Sequence, residues 1–162
     1  MSSIEKLHVQ IGQVKVAGAG QSLEAILGSC IGIGFLCPSK GKYGLAHALL
    51  AKSTGPAQTK DSGRHVDHAI QSLMSMLEIG QDERREVRVF LAGGANMTMP
   101  PGSDPSRLVG TVNANFARKA LREAKLRVIE DETGGDNGRR VTIDCTSGEY
   151  SIQTIPRLGG VA

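Results

Sequence analysis

Tryptophan is absent from this chain, and only two tyrosines and three phenylalanines stand among its 162 residues. A core with so few large rings must be filled by Val, Ile, Leu, Ala and Met. The same scarcity removes the aromatic platforms on which single-stranded nucleic acid stacks. Charge of one sign is also in short supply. The formal net charge is +3, and the basic residues are dispersed, with short pairs only at Arg84-Arg85 and Arg139-Arg140. Without a basic stripe, no nucleic acid partner is expected. The N-terminal run Met1-Ser2-Ser3-Ile4-Glu5-Lys6 has no long apolar stretch behind it, so neither a signal peptide nor membrane insertion is expected. Cysteine occurs three times, at Cys30, Cys37 and Cys145, with no CxxC spacing. An odd count without paired spacing argues against a disulfide scaffold or a zinc knuckle, and for free thiols in a reducing, cytoplasmic setting.

What is present suits one folded domain over residues 1–162, long enough to bury a substantial core. Leu7, Val9 and Ile11 alternate as a strand, and Val14 and Val16 resume on the opposite parity, which places a bulge or turn near Gly12. Ala17-Gly18-Ala19-Gly20 is a turn. Ile31, Ile33 and Phe35 alternate with Gly32, Gly34 and Leu36, giving a strand directly after Cys30. Beyond the turn Cys37-Pro38-Ser39-Lys40-Gly41-Lys42, the residues Tyr43, Leu45, His47 and Leu49 share one face of a second strand. The short connection predicts an antiparallel hairpin. The polar stretch from Ala51 to Gly63 is a loop. Val66, Ala69, Ile70, Leu73, Met76 and Leu77 then form one helical stripe, with Asp61 or Ser62 available as cap and Gly80 as a C-terminal stop. Val87, Val89 and Leu91 lead into Ala92-Gly93-Gly94-Ala95. Residues 97–108 carry three prolines and read as an irregular loop. A second helix through Phe116, Ala117, Ala120, Leu121 and Ala124 begins near Thr111 or Asn113. A strand starts at Leu126 and Val128. After the turn Thr133–Gly138, Val141, Ile143 and Cys145 pair back through Ser147-Gly148 onto Tyr150 and Ile152 as a terminal hairpin. Many strands and two helices without a βαβα rhythm predict an α+β domain.

Cys30, at the end of Leu27-Gly28-Ser29-Cys30, and His47 are the chemically most suggestive pair. A thiol reacts as thiolate, and a neighbouring imidazole can generate and hold that form. A turn-to-strand junction after Gly28 and Ser29 can also aim backbone N–H groups at a developing oxyanion. One hairpin separates the two residues, so they can lie side by side. The structural alternative stays open at this point, because cysteine is among the most buried residues and a His between Leu45 and Leu49 can be an ordinary core histidine. Other candidates are weaker. His65 and His68 lie three apart on a helix but have no third metal ligand in the sequence pattern. Cys37 before Pro38 reads as a turn residue and Cys145 as core. Gly93-Gly94 is a phosphate cradle or a place of close backbone packing, and the Lys-Ser/Thr of a P-loop is missing.

Taken together, Leu27-Gly28-Ser29-Cys30, Gly44-Leu45-Ala46-His47, Val66-Asp67-His68-Ala69-Ile70 and Val89-Phe90-Leu91-Ala92-Gly93-Gly94-Ala95-Asn96-Met97 resemble the CheD family of chemoreceptor glutamine deamidases. Val109-Gly110, Asn113, Asp131, Gly134-Gly135, Gly138-Arg139-Arg140 and Thr146-Ser147-Gly148-Glu149 extend the resemblance from about Gln10 to Ile155. It implies a layered β-sheet sandwich with outer helices, related to the catalytic domain of cytotoxic necrotizing factor toxins. It implies an amidohydrolase that converts glutamine side chains on the cytoplasmic helices of methyl-accepting chemoreceptors to glutamate. Cys30 would be the nucleophile and His47 its acid and base, with Gly28 and Ser29 in the oxyanion turn and no cofactor or metal. The family's third site residue, a Thr six positions before the nucleophile, falls on Glu24, where a carboxylate could orient the imidazole or point to solvent; Ser22 is a nearby hydroxyl. A CheC-type phosphatase is the second implied partner. The competing reading is a weakly catalytic or non-catalytic regulatory module that binds receptors and that phosphatase. A cysteine protease or transglutaminase would share the nucleophile, but no peptide-binding groove is marked.

Overall fold

The computed structural model describes residues 3–157. They form three layers: a four-stranded sheet, a five-stranded sheet and two helices. The strands are β1 (Glu5–His8), β2 (Val14–Ala17), β3 (Gln21–Leu27), β4 (Ile31–Cys37), β5 (Lys42–Ala48), β6 (Arg88–Gly93), β7 (Arg127–Thr133), β8 (Gly138–Asp144) and β9 (Glu149–Ile155). The helices are α1 (Val66–Met76) and α2 (Val109–Glu123). The first sheet runs β1-β3-β8-β9 and the second β2-β5-β4-β6-β7. Both are mixed, since β1 lies parallel to β3 and β7 parallel to β6. This is the expected α+β layout.

The middle sheet is covered on both faces, and its sequence shows it. Every residue of β4 is buried, as befits a strand packed on two sides. Ile31, Ile33 and Phe35 face α1 and α2 and join Val66, Leu73, Val89, Ala117 and Leu121 in one core. The other parity of β4 faces the first sheet, where Leu23, Leu27, Leu45, Phe90 and Ile143 form a second core. Gly34 lies on that face because a Cβ there would sit 2.1 Å from the Phe90 ring. Phe90 in turn stacks on Tyr150 with ring centroids 4.6 Å apart, one of the few places where the sparse aromatics are used.

Several local expectations change. The turn expected near Gly12 is present, closed by the Gln13 N–H on the Gln10 carbonyl, but it does more than interrupt a strand: β1 and β2 belong to different sheets, so the chain crosses between layers at residues 9–13. Gln21–Leu27, which carried no strand assignment, is the central partner of both β1 and β8. The helix after the long loop is preceded by His65 at the cap position, without a side-chain cap from Asp61 or Ser62. Gly80 begins the following 3-10 turn, Gln81–Glu86, and does not close α1. The second helix starts at Val109, two to four residues earlier than its polar first turn suggested. Cys37 is the last residue of β4 and part of the core, with burial pushing its thiol up to about 11. The β4–β5 hairpin, the 97–108 loop and the β8–β9 hairpin stand as expected. Among the described residues, no helix is long and apolar enough to cross a membrane.

Candidate functional site

Register places the two candidate residues. Gly32 on β4 pairs with His47 on β5 and Ile31 with Ala48. Cys30, two residues before Gly32, therefore projects to the same face as His47 on the diagonal. Diagonal neighbours on adjacent strands lie about 7–8 Å apart at Cα, with their side chains closer. That face looks into the layer between the sheets. Cys30 is 5% exposed and His47 4% exposed, so each is screened from bulk water. Among the described residues, no hydrogen bond joins the Cys30 thiol to the imidazole.

The imidazole is fixed from behind. His47 Nδ1 lies 2.9 Å from the backbone carbonyl of Val9. A carbonyl only accepts, so Nδ1 carries the proton and Nε2 is left with its lone pair. Burial pushes the His47 pKa below its ordinary 6.5, opposed in part by the Val9 carbonyl. Burial also raises the Cys30 thiol above its ordinary 9.0. The resting pair is thus a neutral thiol beside a neutral base of defined tautomer.

Glu24 does not supply that anchor. Its side chain lies 3.7 Å from Arg140 on the neighbouring β8, and Val9 occupies Nδ1. Residues Leu23, Ala25 and Leu27 of β3 point into the core, which turns Glu24 to the opposite face of the sheet. The contribution of Glu24 passes through its backbone: its carbonyl accepts the Val9 N–H at 2.8 Å, and Val9 then presents its own carbonyl to His47. Ser22 shares the parity of Glu24 and is buried.

The turn bearing Cys30 is strapped by the glycine pair after β6. Gly94 N–H donates to the Cys30 carbonyl and Ala95 N–H to the Gly28 carbonyl, both at 2.9 Å. Gly93 has φ +97°, and a Cβ there would lie 2.2 Å from the Cys30 carbonyl oxygen. Close backbone packing, not phosphate binding, is therefore the use of this pair. The N–H groups of Ser29 and Cys30 take no partner among the described residues. Helix α2 braces the arrangement: Gly110 packs against the Gly94 carbonyl, and buried Asn113 donates to the Leu49 carbonyl at 2.8 Å. Asn96 continues the strap, bonding its N–H to the Gly135 carbonyl and its side chain to the Pro100 carbonyl and Asp136. Neither Val9 nor Asn113 announced a site role in the sequence. Val9 acts through a backbone atom that every residue possesses, and an Asn inside a helix is common.

His65 and His68 meet edge to face with ring centroids 5.7 Å apart, and His68 Nε2 contacts the Gly55 carbonyl. Cys145 is buried core, its thiol raised to about 11 by burial first and Asp144 second.

The chain is a two-sheet α+β domain that carries Cys30 and His47 on one face of neighbouring strands, with the Cys30 turn strapped by Gly94 and Ala95. The CheD family model, described as CheD chemotactic sensory transduction, matches residues 49–154. A protein of Ruegeria sp. named probable chemoreceptor glutamine deamidase CheD 2 is 54% identical across 97% of this chain and 96% of its own. Proteins named probable chemoreceptor glutamine deamidase CheD from Bdellovibrio bacteriovorus and Archaeoglobus fulgidus are 30% and 34% identical, across 93% and 91% of this chain. The chain belongs to the CheD family. Cys30 and His47 lie outside the 49–154 match but within the span of the near full-length relatives.

Proposed function

We propose that this protein hydrolyses glutamine side-chain amides of chemoreceptors to glutamate, as the names of its relatives describe for them, with Cys30 as nucleophile and His47 as the acid and base. The observation that carries the residue roles is the anchoring of His47 Nδ1 on the Val9 carbonyl, which leaves Nε2 as a base on the face shared with Cys30. As Sγ attacks the carboxamide carbon, its proton passes to Nε2. The negative charge gathers on the amide oxygen, within reach of the free N–H groups of the Gly28-Ser29-Cys30 turn. Collapse of this intermediate breaks the C–N bond as the imidazolium protonates the amide nitrogen, which leaves as ammonia. His47 then takes a proton from water, which attacks the thioester, and Cys30 leaves as the thiol while glutamate is freed. The residues do this without a metal or cofactor. Burial keeps the pair neutral at rest, so charge separation develops only when substrate supplies the oxyanion.

The site would act in the cytoplasm, where the glutamines of chemoreceptor cytoplasmic helices are displayed. Mass spectrometry of a chemoreceptor cytoplasmic fragment incubated with wild type, Cys30→Ala and His47→Ala tests the assignment. Conversion of specific Gln to Glu by wild type alone is expected. Conversion retained in Cys30→Ala overturns the mechanism.

A second reading, a regulatory module binding receptors and a CheC-type phosphatase, draws on the burial of both side chains and the absence of a thiol–imidazole hydrogen bond among the described residues. Wild type that binds both partners but converts no glutamine would establish it.

A further inference from the structure

A concavity next to the backbone of His47 takes no part in the chemistry above. It is a groove of about 910 Å³ between the edge of β2 and the 51–65 loop, and Gly12, Gln13, Lys15, Arg64, His65 and His68 are among its lining residues. Its floor is bonded to the backbone of His47 itself: Gly12 N–H donates to the His47 carbonyl at 2.7 Å, and His47 N–H donates to the Gln13 carbonyl at 3.0 Å. Its far wall is tied to the end of the same strand, because the Arg64 carbonyl accepts from Leu49 and Leu50 at 2.9 and 3.0 Å. The groove is thus rigidly indexed to the histidine.

Its charge leans positive. Lys15 and Arg64 line it, Lys52 and Lys60 stand on the same loop, and Asp61 is the one carboxylate among the lining residues. Lys15 Nζ is held by the His8 carbonyl at 2.7 Å, a contact that fixes its position without neutralising it. The exposed Arg64 guanidinium forms no ion pair or hydrogen bond among the described residues. The nearby Asp67 makes no ion pair with Arg64 and accepts from the Ser53 N–H and hydroxyl, which keep it anionic, so it offsets part of the positive charge at a distance. The groove therefore carries an excess of positive charge, with Arg64 unpaired among the described residues, next to the backbone of His47.

We infer that this groove is an exosite for an acidic stretch of the substrate protein flanking the target glutamine, with Arg64 and Lys15 as its principal contacts. The inference rests on the proposed deamidase reading, and it adds the charge class of the neighbouring sequence. Carboxylates along such a stretch would meet the Arg64 fork and the Lys15 ammonium, while the glutamine enters beyond Gly12 and Gln13 toward Cys30. These contacts bind without entering the chemical step, so they act on substrate affinity and not on turnover.

The test uses a chemoreceptor cytoplasmic fragment, and the same fragment with the glutamates flanking its target glutamine changed to alanine. Binding to full-length Cys30→Ala protein is followed by fluorescence anisotropy, and ammonia release by wild type gives KM and kcat. Arg64→Glu is expected to weaken binding and raise KM about fivefold, with Arg64→Lys recovering part of the loss. Neutralising the fragment should have a similar effect, and raising the salt should shrink the difference between the two fragments. Alkylation of Cys30 by iodoacetamide should be the same in Arg64→Glu as in wild type, which reports an intact site. Unchanged binding and KM in Arg64→Glu overturn the exosite while leaving the deamidase reading in place. Arg64-dependent binding without any ammonia release overturns the deamidase reading and leaves the exosite. A fragment that binds neither protein overturns the exosite.

Discussion

Replacing Gly93 with alanine should damage both stability and the placement of Cys30. Two costs add at this position. The backbone is at φ +97°, and an L residue in left-handed territory loses about 1–2 kcal/mol. The new Cβ would also lie 2.2 Å from the Cys30 carbonyl oxygen and 3.1 Å from Leu27 Cβ. Both neighbours are hemmed in, since the carbonyl is backbone and Leu27 is fully buried, so relief requires moving the turn. Overpacking of this kind costs about 1–3 kcal/mol. The total is about 2–5 kcal/mol, which at a urea slope of about 2 kcal/mol/M lowers the unfolding midpoint by roughly 1–2.5 M. Gly20→Ala is the matched control. Its φ is +87° and no atom lies within 4 Å of the added Cβ, so it should lose only the backbone share. Urea unfolding of both variants, with the alkylation rate of Cys30 measured by peptide mass spectrometry, separates the two costs. Equal losses in the two variants, with Cys30 reactivity unchanged in Gly93→Ala, would refute the strap.

Burial raises the Cys30 thiol above 9.0, so its alkylation in the free protein should climb about tenfold per pH unit from pH 7 to 8.5 without a plateau; a plateau already reached at neutral pH would mean a resting thiolate–imidazolium pair. His47 is depressed below its ordinary 6.5, so its neutral form stabilises the fold above that pH, and the contribution is lost as pH falls below 6.5. Wild type should therefore lose stability between pH 6.5 and 5 relative to His47→Gln, and parallel denaturation profiles would contradict this. Glu24→Gln should change stability by less than about 0.5 kcal/mol, because its partner Arg140 is 47% exposed at the side chain and such ion pairs are weak; conversion of glutamine should persist, and its loss would restore a direct role for the carboxylate. Phe90→Ala should cost about 3–5 kcal/mol in denaturant titrations, since the ring fills the space left by Gly34 and stacks on Tyr150; a loss below 1 kcal/mol would mean that the inter-sheet layer collapses around the gap.

The sequence by itself determined most elements and pointed to the candidate pair. Alternation in 31–37, 42–48 and 141–152 marks buried strands because side chains on a strand repeat every two residues, and the stripe from Val66 to Leu77 marks α1 because only a helix aligns that spacing. Cys30 and His47 were legible because their chemistry resides in the side chains and because both belong to motifs that resemble the CheD family. Tertiary structure decided the rest, wherever the deciding group was a backbone atom or a distant partner. The break near Gly12 shows in the parity change between Leu7 and Val16, but not that a crossing at residues 9–13 sends the two halves into separate sheets. Gln21–Leu27 gains its strand character from β1 and β8 on either side. Glu24 aligned with a family site position, and the parity of β3 turned it toward Arg140. The anchor of His47 is the carbonyl of Val9, and no residue type signals a carbonyl; only the folding of β1 against β3 brings it to the imidazole. The same holds for Gly93 and Gly94, whose glycines showed that something must come close, while the fold alone shows that it is the turn carrying Cys30.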